Sequence, residues 1–340
     1  MKKSLVLMAL AGVALASCVN DVADVAQNEQ KKALIGFQSP VIYQNATSRY
    51  VAGEISSTTY PTGERFMVAA RTTAADWDAG TNYWDGDDFL EVFYDDAQKG
   101  WKTEKDYYWP TNPLSFVAYS PAGLPAKEVS YTNAGWYFDD FVVPTDQTQK
   151  IDLLYSDLII NQRGNTNNGG YYGVPVVFKH ALSSIHFKVV KAADVTARVK
   201  LESITISGVK NKGDFKVDFN GADWTAAADA GVSYVTDGSS LEFDTDGKDV
   251  ANSLLLMPQA LTDVKMVVKY SVNDVEKTTS ELVLNNLTGI SNNETTAITA
   301  WLPGTRYTYI LNYSALAEDL IYFAPSVTDW TDVSLTINLD

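Results

Sequence analysis

Short runs that alternate between apolar and polar residues occupy most of this chain, and turn-forming Gly, Asn, Asp and Pro residues separate them. Apolar positions repeat every two residues, which is the period of a β-strand and not of a helix. Many such runs at regular spacing are typical of β-sandwiches. The pattern therefore predicts an all-β fold. The runs span residues 63–70, 114–121, 151–160, 173–180, 183–190, 201–209, 213–219, 252–259, 264–272, 279–286 and 306–314.

A further strand is predicted near the N-terminus, in the sequence ALIGFQSPVIY at residues 33–43. Its apolar residues include Ile35, Phe37 and Val41. A long stretch of small and polar residues follows at 44–63, and this composition is typical of a loop. The sequence thus predicts one extended segment followed by a loop before the other strands begin.

The last residues of the chain also form a strand pattern, in which four apolar residues alternate with polar ones. These four are Val333, Leu335, Ile337 and Leu339. A strand places them on one face. Two interpretations remain open here: a last strand packed in its own domain, or a strand offered to another chain.

The N-terminus carries a secretory signal. Lys2 and Lys3 precede an apolar stretch at residues 5–16, which is shorter than the roughly 20 residues that a membrane span needs. The sequence Leu-Ala-Ser-Cys that ends at Cys18 resembles the bacterial lipobox, whose cysteine receives a lipid. The alternative is an ordinary signal with a chance cysteine. We expect a lipoprotein signal peptide at 1–17 and lipidation of Cys18.

The remaining chain is divided by composition. Residues 18–32 are polar and predict a tether. About 320 residues after the signal are more than one core usually serves, so two domains are expected. A loop rich in Gly and Asn ends near residue 173, and strand patterns resume beyond it. We therefore predict an N-terminal β-sandwich domain at 33–180 and a C-terminal β-sandwich domain at 181–340.

The charge and cysteine content exclude several classes of function. The formal net charge is −16, which argues against nucleic acid and anionic lipid headgroups as partners. Cys18 is the single cysteine, so neither a disulfide framework nor a thiolate metal site is expected.

Catalytic and metal-binding chemistry finds little support in the sequence. The two histidines, His180 and His186, stand in ordinary strand context and are predicted to be structural. No nucleophile elbow, HExxH, P-loop or GxGxxG pattern is present. The acidic stretches 84–89 and 244–249 resemble calcium loops but lack the EF-hand spacing, and Asp-Gly turns explain them without a metal. We predict no enzyme activity, no cofactor and no metal.

Tryptophans are concentrated in the N-terminal half, and three of them are candidates for a binding surface: Trp77, Trp84 and Trp101. Aromatic faces stack on sugar rings and form hot spots for protein partners. Packing in the core and between strands is the alternative, and we favour it.

An ordered set of short blocks resembles the fimbrillins, the pilus subunits of Bacteroides-type bacteria. The blocks are GERFMVAA (63–70), YYWPTNPLSFVAYSP (107–121), IDLLYSD (151–157), FKHALSSIHFKV (178–189), LLLMPQ (254–259), WLPGTRYTYILNYS (301–314) and IYFAPSVTDW (321–330). The resemblance implies two tandem transthyretin-like β-sandwich domains after a lipoprotein signal peptide. It also implies a place in surface fimbriae, with other fimbrial subunits as partners.

The resemblance further implies a route of assembly. A lipidated precursor reaches the outer membrane, and a protease cuts after an arginine in the loop that follows the first strand; Arg49 is the expected site. The first strand, with Ile35, Phe37 and Val41, then leaves, and a neighbour's strand replaces it in a head-to-tail polymer. The strand at 333–339 is the expected donor. A lipidated surface or tip adhesin that binds glycan or host protein through the Trp-rich domain is the alternative.

Overall fold

The computed structural model describes residues 33–42, 59–72, 80–124, 128–132, 135–164, 173–218, 221–291, 294–314 and 331–339. Over these ranges the chain forms 27 β-strands and no α-helix. Two short 3-10 helices occur, at Gln147–Gln149 and Leu284–Asn286. The predicted all-β fold class is confirmed.

The strands follow one another closely along the chain. Those of the first half are β1 (Val41–Ile42), β2 (Phe66–Thr72), β3 (Thr81–Asn82), β4 (Leu90–Asp95), β5 (Gly100–Thr103), β6 (Leu114–Ser120), β7 (Glu128–Thr132), β8 (Gly135–Val142), β9 (Leu154–Ser156), β10 (Ile159–Gln162) and β11 (Val177–His180). Those of the second half are β12 (Ser183–Lys191), β13 (Val199–Val209), β14 (Lys212–Asp218), β15 (Gly221–Ala226), β16 (Val232–Glu242), β17 (Lys248–Asp249), β18 (Leu254–Leu256), β19 (Gln259–Ala260), β20 (Lys265–Val272), β21 (Val275–Thr278), β22 (Leu282–Val283), β23 (Thr288–Ser291), β24 (Glu294–Ala297), β25 (Ala300–Trp301), β26 (Thr305–Tyr313) and β27 (Thr331–Leu339).

The first sheet contains all the strands before β12 except β7 and β8. Its order is β1-β11-β9-β6-β2-β4-β5, with β10 beside β6 and β3 beside β2. Both faces of its central strands are covered. In β6, for example, Phe116 packs into one hydrophobic cluster and Val117 into a second one. This is why the strand is apolar almost throughout and does not alternate.

The other sheets are built mainly from the second half of the chain. A seven-stranded sheet has the order β17-β12-β26-β27-β23-β24, with β18 also on β12. A five-stranded sheet has the order β16-β13-β20-β21, with β22 on β20. A four-stranded sheet has the order β15-β14-β8-β7, and β19 pairs with β25 alone.

The four-stranded sheet joins the two halves of the chain across the predicted boundary at residue 180. Strand β8 from the first half pairs with β14 from the second, and Phe138 lies opposite Phe215 with ring centroids 6.2 Å apart. The larger hydrophobic cluster likewise takes residues from both halves. The two predicted domains thus share a sheet and a core, and their division into two folding units stays a prediction.

The C-terminal strand β27 lies inside the seven-stranded sheet, between β26 and β23. It runs parallel to β26 in continuous register, from Thr305 opposite Thr331 to Tyr313 opposite Leu339. In the single chain, the predicted strand at 333–339 is therefore a paired strand of its own sheet. This arrangement is the first of the two interpretations that the sequence left open.

Several predicted features lie outside the described residues: the signal peptide, Cys18, the tether, Arg49 and Trp77. No helix in the described part of the chain is long and apolar enough to cross a membrane.

Candidate functional site

Residues 33–42 lie in extended conformation between β5 and β11, the two ends of the first sheet; we call these ten residues the seam segment. On the β11 side its pairing is parallel. The Gln38 amide donates to the Val174 carbonyl at 3.0 Å, and the Val41 amide donates to the Val176 carbonyl at 3.1 Å. The segment thereby covers the edge that β11 otherwise leaves open.

On the β5 side the seam segment pairs in the antiparallel sense. The Phe37 amide donates to the Trp101 carbonyl at 3.1 Å, and the Ile35 amide donates to the Tyr107 carbonyl at 2.8 Å. Because the segment bonds to both ends of the sheet, it closes the sheet on itself.

Three apolar side chains of the seam segment enter the core beneath it. Ile35 and Phe37 are each 5% exposed, and Ile42 is 2% exposed. The ring of Phe37 meets those of Phe66 and Phe116 edge-on, at centroid distances of 5.8 and 6.2 Å. At ~1.5–3 kcal/mol for each buried side chain, the three contribute about 5–9 kcal/mol before ordering costs.

Val41 belongs to β1, but its side chain is 45% exposed, so it does not help to fill the groove. Ile42 takes that role. The register explains the change: Phe37 lies opposite Val174, whereas Val41 lies opposite Val177. The four residue steps from Phe37 to Val41 therefore lie opposite the three steps from Val174 to Val177. The one extra residue in the segment exchanges the positions that point inward and outward.

Gly173 allows the seam segment to approach this closely. Its φ is +100°, and a Cβ built there would lie 2.5 Å from the carbonyl carbon of Phe37 and 2.7 Å from the amide nitrogen of Gln38. Both obstacles are backbone atoms, which cannot rotate away. A glycine is thus required here by conformation and by space.

The chain returns to the seam at Thr59, which bridges to Val41, and the next residue anchors it. The Tyr60 amide donates to the Pro40 carbonyl at 3.0 Å. Its hydroxyl lies 2.7 Å from the Ser120 Oγ, and burial raises the pKa of Tyr60 above its usual value. Thr59 and Tyr60, near the end of the predicted loop, are therefore held against the residues that precede it.

A sequence profile of fimbrillin-like proteins matches residues 62–330. The chain belongs to the fimbrillin-like family. The match begins after the seam segment and ends just before β27, so both predicted exchange strands lie outside it. Family membership confirms the prediction of a structural, non-enzymatic protein with a role in fimbriae or adhesion at the cell surface.

Solved structures from Bacteroides species share the fold of this fimbrillin-like chain. A fimbrial protein from Bacteroides vulgatus is 18% identical with a TM-score of 0.55, covering 82% of this chain and 94% of its own. A candidate cell adhesion protein from Bacteroides uniformis is 16% identical with a TM-score of 0.51, covering 84% and 94% respectively. Among curated proteins, no relative matches the sequence. At these identities the likeness shows the fold alone.

The predicted tryptophan surface is wrong for two of its three members in this fimbrillin-like chain. Trp84 and Trp101 are each 3% exposed. The Trp84 Nε1 donates to the Val68 carbonyl at 3.0 Å, and the Trp101 ring lies 5.4 Å from that of Tyr60. Their large apolar rings fill the core below the seam, so no sugar can stack on them there.

The histidines do not come together as a site. The Nδ1 of His180 lies 2.8 Å from the Oδ1 of Asp152, and both side chains are buried. The Nε2 of His186 lies 2.9 Å from the Oγ of Ser184, and both residues belong to β12. Each histidine lies on a strand and contacts a polar side chain, and the structural role of both stays a prediction.

The acidic stretch at 244–249 forms a bend that leads into β17. The Asp244 carboxylate accepts from the Gly247 amide at 2.7 Å and pairs with the Lys248 ammonium at 3.1 Å. Across the described ranges, no group of three or more His, Cys, Asp or Glu residues is placed to hold a metal ion.

Proposed function

We propose that this chain is a structural subunit of cell-surface fimbriae that polymerises by donor-strand exchange. It is exported as a precursor lipidated on Cys18 and held at the outer membrane. A protease cuts after Arg49, the seam segment leaves, and a strand from a second subunit takes its place.

The observation that supports this proposal is the position of the seam segment. It fills a groove between β5 and β11 with buried side chains, yet it is a short piece that precedes the other described strands of the sheet. Its loss exposes two sheet edges and an apolar pocket, which is an unstable state and a template for another strand. An incoming strand restores the hydrogen bonds and the burial by β-augmentation.

The position of Arg49 suits such a release. It falls between Ile42 and Thr59, so a cut there separates the seam segment from the rest without breaking any of the described strands. Arg71, in contrast, is 9% exposed within β2, and a protease needs local unfolding to reach it.

The strand proposed as donor carries Val333, Leu335, Ile337 and Leu339. In the single chain this strand is paired with β26 and β23, so donation requires its release from the seven-stranded sheet. In return, the donor strand would pair with both β5 and β11 in the groove that the seam segment leaves. Because each subunit then gives a strand to one neighbour and receives one from another, the contact is head-to-tail and builds a filament.

Limited digestion tests the cleavage step. The wild-type chain and an Arg49→Gln variant are treated with an arginine-specific protease, and the products are analysed by N-terminal sequencing and light scattering. We expect the wild-type product to begin at Tyr50 and to form multimers, while the variant stays intact and monomeric. Multimers from an uncut Arg49→Gln chain would contradict the proposal.

Deletion of residues 333–340 tests the donor step. The cut deletion variant is expected to accept a strand but not to give one, so mixing it with cut wild-type chain should shorten the multimers. A thermal unfolding scan verifies that the deletion variant is folded. Assembly of the deletion variant alone, at the wild-type rate, would rule out this strand as the donor.

A further inference from the structure

The seam segment fits one of its two neighbours poorly. On the β5 side, Leu34 bridges to Tyr108 and Phe37 bridges to Trp101. The three residue steps from Leu34 to Phe37 therefore lie opposite the seven steps from Trp101 to Tyr108. The additional residues of the longer stretch do not take part in the strand pairing. A cavity of about 270 Å³ opens between the segment and Trp101–Thr103.

A second gap lies beyond the Phe37–Trp101 bridge. Here the segment turns towards β11, and an open cavity of about 480 Å³ separates Phe37–Ser39 from Lys99–Trp101. Within the described residues, that single bridge is the only pairing between the segment and β5 itself, although β5 is fully paired with β4 on its other edge.

An incompletely paired edge changes how a strand is replaced. A new strand that pairs first with β5 gains ladder hydrogen bonds while the resident segment still holds β11. The groove is then never empty, and the barrier is lower than for complete release, which exposes both edges and the pocket at once.

We propose that the incompletely paired edge of β5, Gly100–Thr103, is the insertion site for an extended segment from a second copy of this chain. The inference rests on the proposed strand exchange and adds its direction: the incoming strand pairs with β5 first and displaces the seam segment from β11 last.

Exchange kinetics test the order of these steps. A protease recognition sequence inserted after Arg49 permits a defined cut, and a fluorescent synthetic peptide of residues 33–42 serves as the probe because it matches the groove by construction. Insertion along β5 before release predicts that the rate of peptide uptake rises in proportion to peptide concentration. A rate that does not depend on concentration would mean release first, and would overturn the inference.

A variant at Gly100 tests the location. A Cβ at Gly100 would lie 3.9 Å from its nearest neighbour, and Gly100 lines the second gap, so Gly100→Val adds bulk at the proposed insertion site. We expect peptide uptake to be about tenfold slower in this variant. Gly123→Val, in a turn with open space around the new Cβ, is the matched control and should exchange at the wild-type rate. Equal rates in both variants would overturn the location.

The probe separates this inference from the proposed function. Uptake of the 33–42 peptide does not depend on which strand is the natural donor. If that peptide exchanges as expected but cut chains never form multimers, the insertion site stands and the polymerisation proposal fails. If multimers form but the rate of peptide uptake does not depend on peptide concentration, the polymerisation proposal stands and the insertion site fails. No uptake of the 33–42 peptide overturns the insertion site directly.

Discussion

Phe37 lies at the centre of the seam, with its ring edge-on to Phe66 and Phe116. Its partners are fixed on the two central strands of the first sheet, so they cannot move inward to fill a space that it leaves. Leu34 belongs to the same segment but is 49% exposed. Substitutions at Phe37 and Leu34 therefore distinguish the loss of a buried side chain from the loss of an exposed one in the same segment.

Phe37→Ala should lower the free energy of unfolding by about 3–5 kcal/mol, because it removes a buried ring and leaves a cavity. Leu34→Ala is the control, with an expected change within about 0.5 kcal/mol, as for most surface positions. Urea denaturation of the intact chain measures both. Equal losses in the two variants would show that the ring does not fill the groove.

Buried tyrosines reduce the stability of the folded chain at high pH. Burial raises the pKa of Tyr119, Tyr155 and Tyr307 from 10.0 to about 12. The folded state disfavours the phenolate, so the stability is complete below pH 10 and is lost as the pH rises through about 12. We expect the thermal midpoint to fall across this window and to fall less in a Tyr119→Phe variant. An unchanged pH dependence in that variant would contradict the assignment to Tyr119.

The residue pattern alone identified Ile35 and Phe37 as apolar members of the first strand, and both are buried. It did not show that Val41 would turn outward and Ile42 inward. That reversal depends on one extra residue relative to β11, and a register shift of this kind is set by the neighbouring strand, not by the segment itself.

At the scale of the strands, alternation predicted several of the strands that bury one face. The predicted runs at 183–190, 201–209 and 306–314 correspond to β12, β13 and β26. Strand β16 was missed because Asp237 and Gly238 form a typical turn signal. In the structure they lie within the strand, where Ser239 and Ser240 have positive φ and the pairing with β13 shifts register. A bulge uses the same residues as a turn, so the sequence does not distinguish them.

The fit of the seam segment against β11 depends on Gly173, and an alanine there tests it. Gly173→Ala should loosen the segment, because the new Cβ would collide with the backbone of Phe37. Hydrogen exchange at the amides of residues 35–41 should accelerate relative to the wild type. Gly86→Ala is the matched control, since its φ is +93° but nothing lies within 4 Å of the new Cβ.

In the Gly86→Ala control, strain in φ of about 1–2 kcal/mol is expected without faster exchange in the seam. Similar exchange at residues 35–41 in the two variants would mean that strain, not contact, governs the segment.

At the scale of the whole molecule, the sequence predicted two consecutive sandwiches. The structure brings strands from both halves into one sheet, and the division into two folding units stays a prediction. The pairing of β8 with β14 links residues about 75 positions apart, as in Phe138 opposite Phe215. Such pairing leaves no local mark, because each strand carries the same alternation whatever its partner.

The net charge of −16 opposes association of identical subunits. We therefore expect cut chains to assemble faster as salt is raised from low ionic strength to about 0.15 M, where the screening length is ~8 Å. Light scattering at a fixed protein concentration measures the rate. Assembly that slows with added salt would indicate that attractive charge pairs, not apolar strand contacts, dominate the interface.

The account depends most on whether the seam segment is replaced when subunits join. Native mass spectrometry of multimers formed after cleavage at Arg49 measures this directly. We predict that every internal subunit begins at Tyr50 and that the fragment ending at Arg49 is found free in solution. Multimers that retain one such fragment per subunit would contradict strand replacement.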